Sequence, residues 1–193
     1  IYVRNYLDLK NIVLTYEKSI SELIKGTADF INMSKNNIYK LQLENMEWND
    51  VNIASWVLDY CNMSGSHMEN AILSGASFKY SDMQDAILMM AMADRTDFSN
   101  ATLDGTDFTN AYLAVANFSD VVMENTVFDI TKIEGGYFND SRLIEVSFAG
   151  ADLTAANFDY AVLKRVDFRS ADLTRADMTG VTIIDCKWEA CIM

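Results

Sequence analysis

The chain repeats every five residues, and this period constrains its fold more than any other feature of the sequence. From Met33 to Met193 every fifth residue is apolar, without an insertion or a break, and the smallest member of the series is Ala93. Nine of the ten phenylalanines occupy this series, which we term the centre register. The period fits neither an α-helix, with about 3.6 residues per turn, nor a long strand with alternating side chains. It predicts a solenoid, in which short extended segments alternate with turns.

A second register, made of small residues, lies two positions before each centre residue. From Cys61 to Cys191 it contains only Ala, Ser, Thr, Cys, Val or Gly. Residues two apart on an extended segment point to the same side, so the small and the centre side chains are expected to share the interior. The position two after the centre holds six of the eight glycines and many Asn and Asp residues. These residues tolerate the positive φ of a tight turn, so this position predicts a corner.

The order of the centre residues indicates how many sides each coil has. Aromatic and non-aromatic residues alternate strictly in this register from Phe98 to Leu173. Stacking like residues on like therefore requires an even number of sides. Four sides of five residues place phenylalanine ladders on two opposite walls and Leu, Ile and Met on the other two.

The tandem motif A-[DN]-[LF]-x-x, present as ADLTA (151–155), ANFDY (156–160) and ADLTR (171–175), resembles the pentapeptide-repeat proteins. The resemblance covers residues 31–193 and implies an all-β solenoid of that family's kind, a right-handed quadrilateral β-helix. At about 4.8 Å per coil, about eight four-sided coils would form a rod about 39 Å long. Successive coils would bond through backbone N–H groups, which explains the absence of proline from the chain.

The two ends of the chain are expected to differ from the regular repeat. Residues 1–30 do not follow it and are expected to form an N-terminal cap or a linker. A capping pattern beginning at Ser19 and a C-cap glycine at Gly26 predict a short helix at about 20–25.

The first and last coils raise separate expectations. The first coils are expected to be irregular, because bulky residues such as Met46 and Trp56 occupy the small register. The repeat continues to Met193 without a capping segment. Two explanations stay open for this exposed end: it pairs with another copy in a homodimer, or the native chain continues.

Composition and motifs argue against several classes of function. The chain has 28 acidic and 15 basic residues and a net charge of -13, which disfavours direct binding to nucleic acid or to anionic membranes. No apolar run is long enough for a transmembrane helix. The one histidine, His67, has an outward position, and the three cysteines fall in the small register. We therefore expect no catalytic residue, no metal and no cofactor, and predict a non-enzymatic protein.

One stretch interrupts the polarity of the expected surface. In AILMMAM (86–92), residues on both sides of Leu88 are apolar although their positions point outward. At 20 residues per coil, apolar residues of neighbouring coils are expected beside them. The resulting protein-binding site, which we term the Met-rich patch, comprises Ile72, Ile87, Met89, Met90, Met92, Tyr112 and Val115. Such residues suit partner binding, and coverage by residues 1–30 or an incidental patch are the alternatives.

Two hypotheses for function follow from the surface and the resemblance. The first is a bacterial protein–protein interaction module, one domain of a larger secreted effector, since pentapeptide-repeat segments occur in such effectors, including HECT-like ubiquitin ligases. It would act in the cytoplasm of the bacterium or in the host cytosol. The second is an acidic DNA mimic, because the similar quinolone-resistance proteins bind DNA gyrase, a type II topoisomerase, in place of duplex DNA. The basic residues, and the absence of those proteins' loop insertions and C-terminal dimerising helix, weigh against the second hypothesis.

Overall fold

Backbone hydrogen bonds join each coil to the next in the computed structural model of the chain, which describes residues 42–193. Every pairing is parallel and links residues twenty apart, from Gln42 with Asn62 to Asp172 with Ile192. A coil therefore contains four segments of five residues, as the alternation of centre residues predicted. The predicted N-terminal cap (1–30) and its helix at about 20–25 lie outside the described residues.

One wall is regular enough to form a four-stranded parallel sheet, in which the strands pair in chain order. The strands are β1 (Val122–Glu124), β2 (Arg142–Ile144), β3 (Val162–Lys164) and β4 (Thr182–Ile184). Elsewhere a segment contributes a single residue to the ladder before the chain turns. Residues 42–193 form no helix, and hence none long and apolar enough to cross a membrane.

The corners have the left-handed backbone that the sequence predicted. Every residue two positions after a centre residue, from Asn45 to Ala190, has a φ between 56° and 70°. Glycine occupies only six of these corners. The remaining corners hold residues with side chains, so the repeat imposes this conformation whichever residue is present.

Two aromatic ladders fill the centre of the solenoid, on opposite walls as predicted. Within a ladder the phenylalanine rings stack at centroid distances of 4.8–5.4 Å, and between ladders they meet edge to face at 5.2–6.0 Å. Trp188 extends one ladder by stacking on Phe168. The first ladder is Phe78, Phe98, Phe118, Phe138 and Phe158, and the second is Phe108, Phe128, Phe148 and Phe168.

Hydroxyl groups of the small register are satisfied inside this apolar interior. The Oγ1 atoms of Thr96, Thr106 and Thr126 donate to carbonyl oxygens of the preceding coil at 2.8–2.9 Å. Because each buried hydroxyl has an acceptor, these positions do not carry the penalty of an unpaired polar group. The bonds also tie successive coils together.

The expectation of irregular first coils is wrong for residues 42–61. Their four outward positions pair with residues 62–77 as in every later coil, and their corners have the same positive φ. The bulky side chains are accommodated without a change of backbone, since Trp56 stays buried and Met46 is half-buried. The backbone ladder therefore tolerates large residues in the small register.

Candidate protein-interaction surface

The ladder stacks three residues of the Met-rich patch in one column. Ile72 pairs with Met92, and Met92 pairs with Tyr112. The backbone N–H groups of Met92 and Tyr112 each donate to the preceding coil at 2.9 Å. The spacing of this column is thus set by the backbone and does not depend on the side chains themselves.

Four side chains of the Met-rich patch are substantially exposed. The exposed fractions are 47% for Met90, 42% for Met92, 54% for Tyr112 and 43% for Val115. The other three members, Ile72, Ile87 and Met89, are half-buried. Leu88, the centre residue between Ile87 and Met89, is fully buried and belongs to the core.

The Met-rich patch extends around a corner of the solenoid. Ile87 and Met89 flank Leu88 on one wall, and Met92 lies on the next wall. Met90 forms the corner between them, with a φ of 58°. Val115 lies at the far corner of the second wall, one coil after Met92.

Charged residues border the Met-rich patch, and most of them are acidic. Asp107 follows Ile87 in its column. Glu69 lies on the preceding coil next to His67, whose Nδ1 is 3.7 Å from Glu69 Oε1. Asp94 follows Met92 on the same wall, and its Oδ1 accepts a hydrogen bond from the backbone N–H of Ala114 at 3.0 Å.

The basic residue below Tyr112 is itself neutralised by an acidic neighbour. Lys132 pairs with Tyr112 in the column, and its Nζ is 3.8 Å from Asp152 Oδ2. Burial raises the pKa of Asp152, but hydrogen bonds from Thr154 and the charge of Lys132 outweigh this effect and hold it below its ordinary value. Burial and the nearby Asp152 carboxylate raise the pKa of Glu134. This end of the surface therefore carries no excess of positive charge.

Many other carboxylates help to form turns. Asp97 Oδ1 accepts from the backbone N–H of Ser99 at 3.0 Å, and Asp107 Oδ1 accepts from that of Thr109 at 2.8 Å. The same bond recurs where Asn or Asp precedes a centre residue, which explains the [DN] of the repeat motif. Such bonds satisfy backbone groups in the turn, so an acidic residue here is not by itself a sign of catalysis.

No arrangement for metal binding is present among residues 42–193, where no three His, Cys, Asp or Glu side chains are grouped to hold an ion. Cys61 is buried, and Cys186 and Cys191 are partly buried in the last coil; none of these three cysteines forms a disulfide within residues 42–193.

Sequence reasoning missed one exposed apolar residue beside this surface. Ile130 occupies the same corner as Met90, two coils further along, and is 58% exposed. Ile130 follows Met90 by forty residues, which is twice the coil length, so the sequence alone could have placed both residues at the same corner. Of the other exposed apolar residues, Val122 on β1 and Ile184 on β4 lie on a different wall, whereas Ile192 lies in the column of Met92 but in the last coil.

Parallel coils of twenty residues, with alternating small and large residues inside, define a β-solenoid built from five-residue units. The family model described as pentapeptide repeats matches eight copies at residues 57–88, 94–129 and 147–183, which is more than half of the chain. The chain belongs to the pentapeptide-repeat family.

Several solved structures of this family are similar to the chain. HetL, a protein involved in heterocyst differentiation regulation from the cyanobacterium Nostoc sp. strain PCC 7120, is 20% identical, with 91% of this chain and 97% of that chain covered and a TM-score of 0.32. A trypsin-treated variant of QnrB1, a plasmid-mediated fluoroquinolone resistance protein, is 19% identical, with coverage of 81% and 84% and a TM-score of 0.44. Rfr23 from the cyanobacterium Cyanothece 51142 is 17% identical, with coverage of 86% and 99% and a TM-score of 0.25. No curated protein matches the chain significantly in sequence.

Proposed function

We propose that the chain is a non-enzymatic protein-interaction module whose partner binds the Met-rich patch. The observation that carries the proposal is the exposure of Met92 and Tyr112 on one wall and of Met90 at its corner, where the backbone is fixed by the ladder. Contiguous apolar surface of this kind marks binding sites in soluble proteins. Methionine side chains adapt to the shape of a partner, and a tyrosine supplies a large contact area.

The rigidity of the wall favours binding. Six of the seven patch residues donate their backbone N–H to an adjacent coil at 2.8–3.0 Å, namely Ile72, Ile87, Met90, Met92, Tyr112 and Val115. Little backbone freedom remains to be lost when a partner binds, so a larger share of the contact energy appears as affinity.

Photocrosslinking from the patch tests this function. Tyr112 is replaced by benzoylphenylalanine in cells that express the chain, and Tyr160, which is 63% exposed at another corner, is replaced in the control. We expect a crosslinked partner protein from position 112 and not from position 160. Met90→Asp with Met92→Asp should remove the crosslink at an unchanged melting temperature.

The matched control for that variant introduces the same two charges on the β-sheet wall. Val122→Asp with Ile184→Asp replaces residues that are 60% and 41% exposed. The crosslink should persist in this control. If it is equally strong in the patch variant, the Met-rich patch is not the binding site.

The domain organisation is part of the same proposal. Residues 1–30 form an N-terminal cap or linker, and residues 31–193 form a right-handed quadrilateral β-helix. The module acts as one domain of a secreted effector, in the cytoplasm of the bacterium or of the host. It also forms a homodimer through an end of the solenoid.

A DNA mimic that binds a type II topoisomerase is the second candidate. Its supporting observation is the stacking of exposed carboxylates on successive coils, as at the corner that holds Asp120 and Asp140. Duplex DNA carries one charge per about 1.7 Å, or about 23 charges over a rod of about 39 Å, and residues 31–193 contain 24 acidic residues. A gyrase supercoiling assay tests this candidate, and activity that is unchanged at micromolar protein removes it.

A further inference from the structure

In the column of the Met-rich patch, the backbone groups that could pair with a partner strand are already bonded to adjacent coils. The N–H of Met92 donates to Ala71 and its carbonyl oxygen accepts from Leu73. The same holds for Tyr112, whose N–H donates to Ala91 and whose carbonyl accepts from Ala93. Recognition at this surface therefore depends on side chains. An extended peptide would leave its own N–H and C=O groups without protein partners, whereas a helix satisfies them internally.

The height of the Met-rich patch matches a short stretch of helix. Ile72, Met92 and Tyr112 lie on three successive coils, which span about 10 Å at about 4.8 Å per coil. Two turns of an α-helix rise about 11 Å and present apolar residues at positions i, i+3, i+4 and i+7 on one side. One apolar helix face of this length would cover the column.

The charges around the Met-rich patch favour a basic partner. Glu69, Asp85, Asp94 and Asp107 border it. Two cations lie among these acids: Lys132 is paired with Asp152, and Arg95 is exposed next to Asp94, at the corner one coil before Val115. The chain as a whole has a net charge of -13, which attracts cations over longer distances. Lysine or arginine residues flanking the apolar face of a helix would meet this acidic border.

We infer that the partner segment is a cationic amphipathic helix, with its apolar face on the Met-rich patch and its basic residues over the surrounding carboxylates. This inference rests on the proposed function and specifies the chemistry of the partner. The methionines accommodate different apolar side chains. The acidic border orients a basic helix and repels an acidic helix.

Synthetic peptides of about 18 residues test the inference against the full chain. The probe contains only Leu and Lys, with Leu at i, i+3, i+4 and i+7. One control peptide has the same composition in an order that spreads Leu around the helix, and another replaces Lys by Glu. At about 150 mM salt we expect the probe to bind at least about tenfold more tightly than the scrambled peptide, by calorimetry, and the Glu peptide not to bind.

Two variants of the chain separate apolar recognition from charge attraction. Met90→Asp with Met92→Asp should lose binding of the Leu/Lys peptide, although the added negative charge alone would strengthen it. Val122→Asp with Ile184→Asp adds the same charge elsewhere and should bind like the wild type. Equal affinities for the ordered and scrambled peptides, or equal binding by the two variants, would overturn the inference.

The inference and the proposed function fail in distinguishable ways. A crosslink from position 112 to a partner protein, combined with no preference for the Leu/Lys peptide, retains the interaction module and rejects the cationic helix. A crosslink to residues 1–41 of the same chain, or to a second copy of the chain, identifies that segment or copy as the occupant of the patch and also rejects the cationic helix.

Discussion

At the corners of the coils, the repeat imposes a left-handed backbone on residues that do not favour it. Val115 and Ile130 are β-branched and both have a φ of 59°. This conformation costs an L-residue about 1–2 kcal/mol, because Cβ approaches the following carbonyl oxygen. Since a β-branched residue is particularly unfavourable there, these two corners should weaken the fold.

Replacing Ile130 with Asn is expected to stabilise the chain. Asn tolerates positive φ, and little buried area is lost because Ile130 is 58% exposed. We expect Ile130→Asn to raise the free energy of unfolding by about 1 kcal/mol in denaturant titrations. Val122→Asn is the control, since Val122 is equally exposed but lies in β1, outside the corners. A variant at Ile130 that is no more stable than this control would show that the corner is not strained.

The sequence predicts the corners better than it predicts the role of the acidic residues. Gly, Asn and Asp mark a left-handed position directly by their type, as at Gly105 and Asn110. The use of Asp97 as an acceptor for the N–H of Ser99 depends on the geometry of the turn between them. From the sequence alone, Asp97 is recognised as a surface charge but not as a hydrogen-bond acceptor within the turn.

A single coil is stabilised chiefly by stacking on its neighbours. Phe128 illustrates this, with its ring 4.8 Å from Phe108 and 5.0 Å from Phe148, both stacked. It also meets Phe118 and Phe138 edge to face. Each rung therefore contributes to the stability of the coils on both sides.

Phe128→Ala is expected to be strongly destabilising. Phe128 is fully buried, so the substitution leaves a cavity in the middle of a ladder, and we expect a loss of about 3–5 kcal/mol in the free energy of unfolding. Phe128→Leu keeps much of the volume and should lose less. Trp188→Ala, at the last rung, should also lose less, because Trp188 is only half-buried. Equal losses in the three variants would contradict the ladder as a source of stability.

An ion pair that joins two coils makes stability depend on pH. Lys79 Nζ lies 2.9 Å from Asp97 Oδ2. Burial raises the pKa of Asp97, but hydrogen bonds from Lys79 and Ser99 outweigh this and hold it below its ordinary value. The stability contributed by this carboxylate is therefore present above the unfolded-state pKa of about 3.9 and is lost as pH falls through the folded-state value.

Asp97→Asn tests this dependence. Asn retains an oxygen acceptor for the N–H of Ser99 but loses the charge that attracts Lys79. We expect the variant to be less stable than the wild type at pH 7, with a difference that shrinks below about pH 4. Thermal melts from pH 3 to pH 7 measure it. A difference that is constant over this range would mean that the ionised carboxylate does not contribute.

Over the whole molecule, acidic residues outnumber basic ones and repel each other along one rod. The net charge of -13 should make salt stabilising, because screening reduces this repulsion. We expect the melting temperature at pH 7 to rise when sodium chloride increases from about 20 to about 300 mM. Near the sequence pI of about 4.3 the rise should disappear. A melting temperature that falls with salt at pH 7 would show that attractive ion pairs dominate.

The architecture was predictable because a short period and a buried interior leave few alternatives. The centre register and the alternation of phenylalanines after Phe98 led to the four-segment coil and to the two ladders. Residues 42–61 differ from expectation because the tolerance of the ladder for Trp56 depends on packing, which side-chain size alone does not reveal. At the candidate site, the twenty-residue coil length predicted that Met90 and Met92 lie close together around a corner. Ile130 did not appear in this prediction because it lies two coils, rather than one, from Met90.

The pairing of residues twenty apart also determines which changes in chain length the protein can accept. An insertion of one whole coil would lengthen the rod and leave every wall aligned. A deletion of five residues between Ile72 and Met92 would preserve the repeat but rotate everything after it by a quarter turn. Tyr112 would still follow Met92, whereas Ile72 would face a different direction. Loss of a single pentapeptide would thus separate Ile72 from Met92 and Tyr112 even though the five-residue period is kept.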